Sequence, residues 1–303
     1  MRAPSRQRGV ALVLVMWVAV ILGIVAASFI MERHTETLVV TNSLAMARAQ
    51  AAADAGVTRA VVEAYRSDLT STDAWKRDGA PHEWSFDGVP VSIEMRDESG
   101  KIDINAASDL LLRGLLLSVG LADDEADKLL DAILDWRDPD SLKRPNGAEE
   151  PEYRAAGLSY RPANAPFQAM EELQLVLGMR PEIYRRLAPL ITVYSRSPGV
   201  SPPVASRAVL LAIPGLSTEV VDQYIADRDA ALAAGQPVPP MVQAGAYGSG
   251  TSSVINVRAV ARTEEGVTFT REAVALLRPV PRKPVTYVAW RESTAPVTEQ
   301  KQP

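Results

Sequence analysis

The hydrophobic pattern opens on one unbroken apolar run. Residues 10–30 read VALVLVMWVAVILGIVAASFI, 21 positions without a charge. As a helix rising 1.5 Å per residue this run covers roughly 30 Å, the hydrocarbon thickness of a bilayer. Arg2, Arg6 and Arg8 precede it, and Glu32, Arg33, His34 and Glu36 follow it. The positive-inside rule then leaves the N-terminus in the cytoplasm and the bulk of the chain outside. The run exceeds the roughly 7–15 apolar residues of a secretory signal peptide, and no small-x-small cleavage site leads into a polar mature start. No proline occurs between Pro4 and Pro81, and strong helix formers continue through LAMARAQAAADAGVTRAVVEAY at 44–65. The pattern predicts one helix of about 55 residues, half within the membrane and half beyond it.

Further along, the period changes from helical to two. Val89, Val91, Ile93 and Met95 alternate with other residues, which predicts a half-buried strand. Asp97-Glu98-Ser99-Gly100 then reads as a turn, after which Ile102 and Ile104 resume, so a hairpin is expected there. A second hairpin is expected from 254–262 and 267–277 about the turn Thr263-Glu264-Glu265-Gly266, with a last short strand at 285–290. Between these strands, from Asn105 to about Gly245, the chain carries a degenerate repeat. Its copies start near Leu110, Met170 and Ser206. Each has a short apolar helix, a turn (Val119-Gly120-Leu121, Leu177-Gly178-Met179, Pro214-Gly215-Leu216) and a second helix. The glycine of each turn suits a positive φ.

Composition narrows the chemistry. The 303 residues are 47% hydrophobic and 23% charged, which excludes wholesale disorder. There is no cysteine, and His34 and His82 are the only histidines, so disulfides, thiolate chemistry and histidine-based triads or zinc sites have no material. Net charge is −5, and residues 105–245 hold 13 basic against 19 acidic side chains. Helix-hairpin-helix units that bind nucleic acid present backbone amides and basic side chains to phosphate. Here the turns lead into Asp123-Asp124, Glu182 and Glu219, which suit helix N-termini and repel phosphate. Packing modules are therefore expected, with no nucleic-acid partner. Trp75, Trp84, Trp136 and Trp290 read as core or interface anchors. Gly248-Ser249-Gly250 reads as a linker, since no Gly-x-Ser-x-Gly nucleophile elbow is formed there. No enzyme site is expected.

One loop concentrates oxygen ligands. Asp135, Asp138 and Asp140 are followed by Asn146, Gly147, Ala148, Glu149 and Glu150, with Pro139 and Pro145 between. Calcium takes about six to eight oxygens, and a turn-rich loop can wrap them, although the 12-residue spacing of an EF-hand is absent. A second reading is that Asp138 and Asp140 cap a turn while the glutamates pair with Arg137, Lys143 or Arg144.

The junction RQRGVALVLVMWV resembles a prepilin peptidase site: basic residues, Gly9, then an apolar helix starting at Val10 and kept after the leader is removed. The fifth residue of the mature chain would be Leu14, where most type IV pilins and pseudopilins carry glutamate. In this departure, and in the motifs DESGKIDIN at 97–105, LDWRD at 134–138, Gly147-Ala148-Glu149, and YRPAN at 160–164 with Phe167, the chain resembles the type II secretion system protein K family of minor pseudopilins. The resemblance implies an α+β fold: a long N-terminal transmembrane helix, a pilin-like antiparallel sheet, and a large inserted helical domain of SAM-like, helix-hairpin-helix repeats. The expected organisation is a leader at 1–9, the helix at 10–70 with 10–30 in the membrane, a pilin-like domain from 71–104 and 246–291, the insertion at 105–245 and a polar tail at 292–303. It further implies a single-pass inner-membrane protein with a periplasmic head, located at the tip of the secretion pseudopilus, where it initiates and caps assembly. Its partners would be the I- and J-type minor pseudopilins, the major pseudopilin and the prepilin peptidase. It also implies structural calcium, without fixing which of Asp135, Asp138, Asp140, Glu149 and Glu150 bind it. The alternative of another class is a membrane-tethered helix-hairpin-helix DNA receptor.

Overall fold

The computed structural model describes residues 8–66, 75–250, 252–278 and 283–293, with the side chains of 8–11 and 29–38 outside that description. Most of the expected leader and tail, the surroundings of Gly9 and the side chain of Val10 therefore lie outside the described residues.

Helix α1, Arg8–Tyr65, runs 58 residues without a break, as the absence of proline requires. Its second half buries Ala45, Ala49, Ala52, Ala53, Val57, Ala60 and Val61, a stripe at helical spacing. The small side chains admit the helix close to a sheet. At Gly56 even a β-carbon would stand 2.9 Å from Val91 Cγ1. The sheet consists of β1, Asp78–Phe86; β2, Val89–Asp97; β5, Val254–Arg262; β6, Thr268–Leu277; and β7, Val285–Glu292. They lie in the order β1-β2-β5-β6-β7, every neighbour antiparallel. Val91, Ile93, Met95, Val257, Ala259 and Ala273 face α1 and form one core with it.

The hairpin of β5 and β6 falls where it is expected, about the turn at Thr263–Gly266. The hairpin expected around Asp97–Gly100 does not form. β2 turns instead through Asp87 (φ 47°) and Gly88 (φ 78°) to pair with β1, the positive-φ pair that a tight hairpin turn needs. Beyond β2 the chain leaves the sheet: Ile102–Asp103 (β3) pairs in parallel with Ile191–Thr192 (β4). Asp97 is the reason. It is buried, and Oδ1 accepts from the backbone and hydroxyl of Ser99 (2.9 and 2.6 Å) and of Ser252 (3.2 and 3.0 Å). Departing and returning chain are thus tied at one carboxylate. Ser201 N donates to Ser99 O at 2.7 Å and Ser249 N to Val200 O at 2.7 Å, drawing the middle of the insertion to the same point. Asp97→Ala leaves buried N–H donors without an acceptor, and is expected to lower stability by about 3 kcal/mol, with Asp97→Asn milder; urea unfolding midpoints measure it.

The insertion has its own core, from Ile102 and Ile104 through Leu210, Val221 and Met241. It contains α2, Asp109–Ser118; α3, Asp123–Arg137; α4, Glu150–Ala155; α5, Pro181–Leu187; α6, Arg207–Leu211; and α7, Thr218–Ala233. Gly120, Gly178 and Gly215 hold φ of 88°, 89° and 84°, so each repeat turns on its glycine. The second copy departs from the pattern, because its first element, Met170–Leu175, is a 3-10 turn. Ser108, Ser206 and Ser217 cap α2, α6 and α7, each accepting from a backbone N–H three residues on.

Candidate functional site

The acidic loop lies between the end of α3 and the start of α4. Asp135, on the last turn of α3, points inward and is fully buried; its carboxylate accepts the Arg144 N–H at 3.2–3.3 Å. The loop closes over it at Gly147, where a β-carbon would sit 2.0 Å from Asp135 Oδ2. Asp131 holds the loop from the outside by accepting from Asn146 N at 2.9 Å. Behind it Trp136 stacks on Phe167, and Asn105 locks the segment around Phe167 with hydrogen bonds in both directions at 2.8 and 2.9 Å.

Four of the five sequence-selected acids share one electrostatic field. Glu149 is 4% exposed, and burial, reinforced by the charges of Asp135, Asp138 and Asp140, pushes its carboxyl up to about 7. Burial raises Asp135 and Asp138 as well, with Asp140 adding to the rise at Asp138. The fifth, Glu150, faces away and pairs with Arg154 and Arg161. The expected pairing of the loop glutamates with Arg137, Lys143 or Arg144 does not form: Glu150 is paired, but with Arg154 and Arg161, and Glu149 turns inward. Asp140 spends Oδ1 on the backbone of Leu142 at 2.8 Å, a turn cap as the second reading proposed.

Three buried oxygens in this region lack a hydrogen-bond donor: Asp138 Oδ1, Glu149 Oε1 and Asn164 Oδ1. Asn164 is an addition to the sequence-selected set. It sits at φ 49° and its amide donates to the Asp140 carbonyl and to Ser141 Oγ at 3.1 Å. The signal for it was the crowded Arg-Pro-Ala-Asn-Ala-Pro run at 161–166, where a left-handed asparagine suits a turn between prolines. Oxygens without a donor are the type of ligand that a hard cation takes. Among the described residues no three acidic or histidine side chains converge closely enough to hold a metal by themselves, so amide and carbonyl oxygens would have to complete any such site.

The other sequence-selected region is the start of α1. Leu14 is 63% exposed, and Leu12, Trp17, Ile21, Leu22 and Ile24 around the helix are exposed as well. Among the described residues no helix is long and apolar enough to cross a membrane; the apolar stretch with described side chains is residues 12–28.

A long helix laid on an antiparallel meander, with a glycine-hinged helical insertion between two adjacent strands, defines an α+β protein of helix-on-sheet type. The family model for type II secretion system protein K matches residues 93–196, from mid-β2 through the acidic loop to just past β4. Type II secretion system protein K of Pectobacterium carotovorum subsp. carotovorum is 29% identical over 212 residues, 62% of this chain and 63% of that protein. That of Pseudomonas aeruginosa is 28% identical over 242 residues, 71% and 72% of the two chains. The match to the Pectobacterium protein thus spans less than two thirds of that relative's length. A chain in the crystal structure of the GspK-GspI-GspJ complex from the enterotoxigenic Escherichia coli type 2 secretion system has the same fold. It superposes with a TM-score of 0.63 at 16% identity, covering 87% of this chain and 100% of that one. In sequence this chain resembles type II secretion system protein K, whose family model matches its residues 93–196.

Proposed function

We propose that this chain is a minor pseudopilin of a type II secretion system, acting by assembly and not by catalysis. The observation that carries the reading is the division of labour along α1. A face of its second half is buried against the sheet, while residues 12–28 present large apolar side chains on all sides to the surroundings, which suits a helix solvated by lipid and neighbouring helices. The peptidase would cut behind Gly9 and leave Val10 as the mature N-terminus, on the cytoplasmic side of the inner membrane. Sheet and insertion would lie in the periplasm. Leu14 offers no carboxylate to the amine of a subunit above, and the insertion adds bulk to the head that the second half of α1 carries. Both favour a position at the filament tip, initiating and capping, with I- and J-type minor pseudopilins as neighbours and the major pseudopilin below.

In this reading the three glycine-hinged hairpins are SAM-like packing modules. Acids on α3 and α7 are engaged by arginines, Asp123 and Asp127 with Arg113 and Asp222 with Arg207, each at 2.6 Å. Asp138, Glu149, Asn164 and the loop around Asp140 would hold calcium, with buried Asp135 bracing the loop. When bound, the ion would neutralise the carboxylates and cross-link the loop. Its role is structural.

Intact-mass and N-terminal peptide spectrometry on the membrane-extracted chain, with and without a co-expressed prepilin peptidase, tests the reading. A mature chain starting at Val10 is expected with the peptidase. An uncut Met1 terminus in its presence would leave a plain membrane anchor and remove the pseudopilin assignment.

A further inference from the structure

The acidic loop carries the chain's single Asn-Gly pair, Asn146-Gly147. Such a pair is chemically labile, because glycine has no side chain to keep its backbone nitrogen away from the carboxamide of the preceding asparagine. Arg144-Pro145-Asn146-Gly147 forms a turn closed by Gly147 N donating to Arg144 O at 3.1 Å, with proline at the position where its fixed φ suits a β-turn. Asn146 is exposed to water there. Both reacting groups are nevertheless engaged elsewhere. Asn146 Nδ2 donates to Asp131 Oδ2 at 3.2 Å, the same oxygen that accepts the Asn146 backbone N–H at 2.9 Å. Gly147 is pressed on the Asp135 carboxylate with no room for a β-carbon, and Ala148 and Glu149 behind it are buried. The Gly147 nitrogen therefore reaches the Asn146 carboxamide only when the turn lets go of Arg144 and Asp131.

We infer that Asn146 is a site of spontaneous deamidation gated by this loop, that Asp131 is the positioning residue that keeps the gate shut, and that modification locks the loop open. The inference stands apart from the calcium and pseudopilin readings. In the open loop the Gly147 nitrogen gives its proton to solvent hydroxide and attacks Asn146 Cγ. The new N–C bond forms, the Cγ–Nδ2 bond breaks, and the amide nitrogen takes up a proton from water and leaves as ammonia. A second water then opens the resulting succinimide at either carbonyl, leaving aspartate or its β-linked isomer; nothing is oxidised or reduced. Neither product refits. Aspartate at 146 sets an acceptor where Nδ2 donated, directly against the Asp131 carboxylate, and the like charges oppose closure. In the isomer the backbone gains a methylene just ahead of Gly147, which then no longer seats on Asp135 within its present clearance. Opening is reversible while residue 146 is an amide and irreversible afterwards, so the loop keeps a record of having opened.

The full chain in detergent, with a chelator present so that the outcome is independent of any cation, is incubated at mildly alkaline pH. Peptide mass spectrometry follows conversion at Asn146, and the same chain unfolded in urea supplies the ungated rate. The folded chain is expected to convert at least about tenfold more slowly than the unfolded one. In Asp131→Ala, which removes the acceptor of both Asn146 donors, conversion in the folded chain is expected to rise about tenfold, with Asp131→Asn, which keeps an oxygen there, in between. Trypsin is expected to cut Asn146→Asp after Lys143 about tenfold faster than the unmodified chain. Equal conversion in folded and unfolded wild type, a comparison that needs no variant to fold, would overturn the gate, and no conversion in either would remove the site. An unchanged rate in a folded Asp131→Ala chain would refute the part given to Asp131, and equal resistance of Asn146→Asp to trypsin would refute the lock.

Discussion

Stripping divalent cations from the full chain is expected to reverse the pH dependence of its stability. In the folded chain Glu149 titrates near 7, against 4.5 for the unperturbed group. Between those values the native protein holds a proton that the unfolded chain has released. Metal-free stability is therefore greatest below both values and is lost as pH rises through 7. Asp135 and Asp138 are shifted upward too and act in the same direction. Calcium held as proposed would bind the deprotonated loop, so acidification would expel the ion and stability would fall as pH drops. At a calcium concentration about 100 times the dissociation constant the ion contributes about 2.7 kcal/mol, or a rise of some 5–10 °C in melting temperature at neutral pH. Melting curves of metal-stripped and calcium-loaded protein at pH 5.5 and 7.5, in the same detergent, give the two slopes. Glu149→Gln should flatten the metal-free slope and lose most of the calcium response. Slopes of one sign in both states would count against a cation in this loop.

Gly114→Ala is expected to destabilise the insertion severely, although helix propensity alone argues the reverse. Within a helix, alanine for glycine is ordinarily worth about 1 kcal/mol of stabilisation. Here the new β-carbon would lie 2.0 Å from the Ala212 carbonyl oxygen and 2.9 Å from its carbon. The obstacle is backbone, so no change of side-chain rotamer relieves it. α2 and α6 would have to separate, and Leu111, Leu115, Val209 and Leu210 are buried on those two helices. Overpacking of a dense core costs about 1–3 kcal/mol and more where the backbone cannot yield. Chemical unfolding should show a loss of at least about 3 kcal/mol or an insertion that does not fold. A neutral or stabilised variant would mean that α2 and α6 are not in this close contact.

What the sequence made legible was long-range in period or local in chemistry. The proline-free stretch after Pro4 allowed α1, the strands expected at 254–262 and 267–277 about their turn formed as β5 and β6, and the three glycine turns adopt the positive φ expected of them. The turn at Asp97–Gly100 misled because Asp-Glu-Ser-Gly is good turn chemistry in its own right. What decides its geometry is Ser252, 155 residues away, which supplies half the donors to Asp97. The Asp87-Gly88 pair was the stronger hairpin signal. β3 and β4 are two residues each, too short for any period to register. In the acidic loop the residue types did not separate the buried acids from the outward-facing one. Glu149 and Glu150 are chemically equal neighbours, and only the start of α4 separates them. Glu149 is still extended, at φ −114° and ψ −174°, and turns inward, whereas Glu150 has entered the helix and faces out.

The knot at Asp97 also changes the polymer physics of the sheet. β2 and β5 are adjacent strands whose register runs from Val91 opposite Ala261 to Asp97 opposite Ile255. The loop between them must close over some 155 residues. Once the insertion has folded, its two ends already lie side by side, and the pairing meets the closure entropy of a short connection. By the logarithmic law for loops that difference is worth about 3 kcal/mol. The insertion can therefore gain or lose whole helices at its periphery without the sheet registering a change in length, because the sheet is coupled only to the distance between the two ends and not to the contour between them.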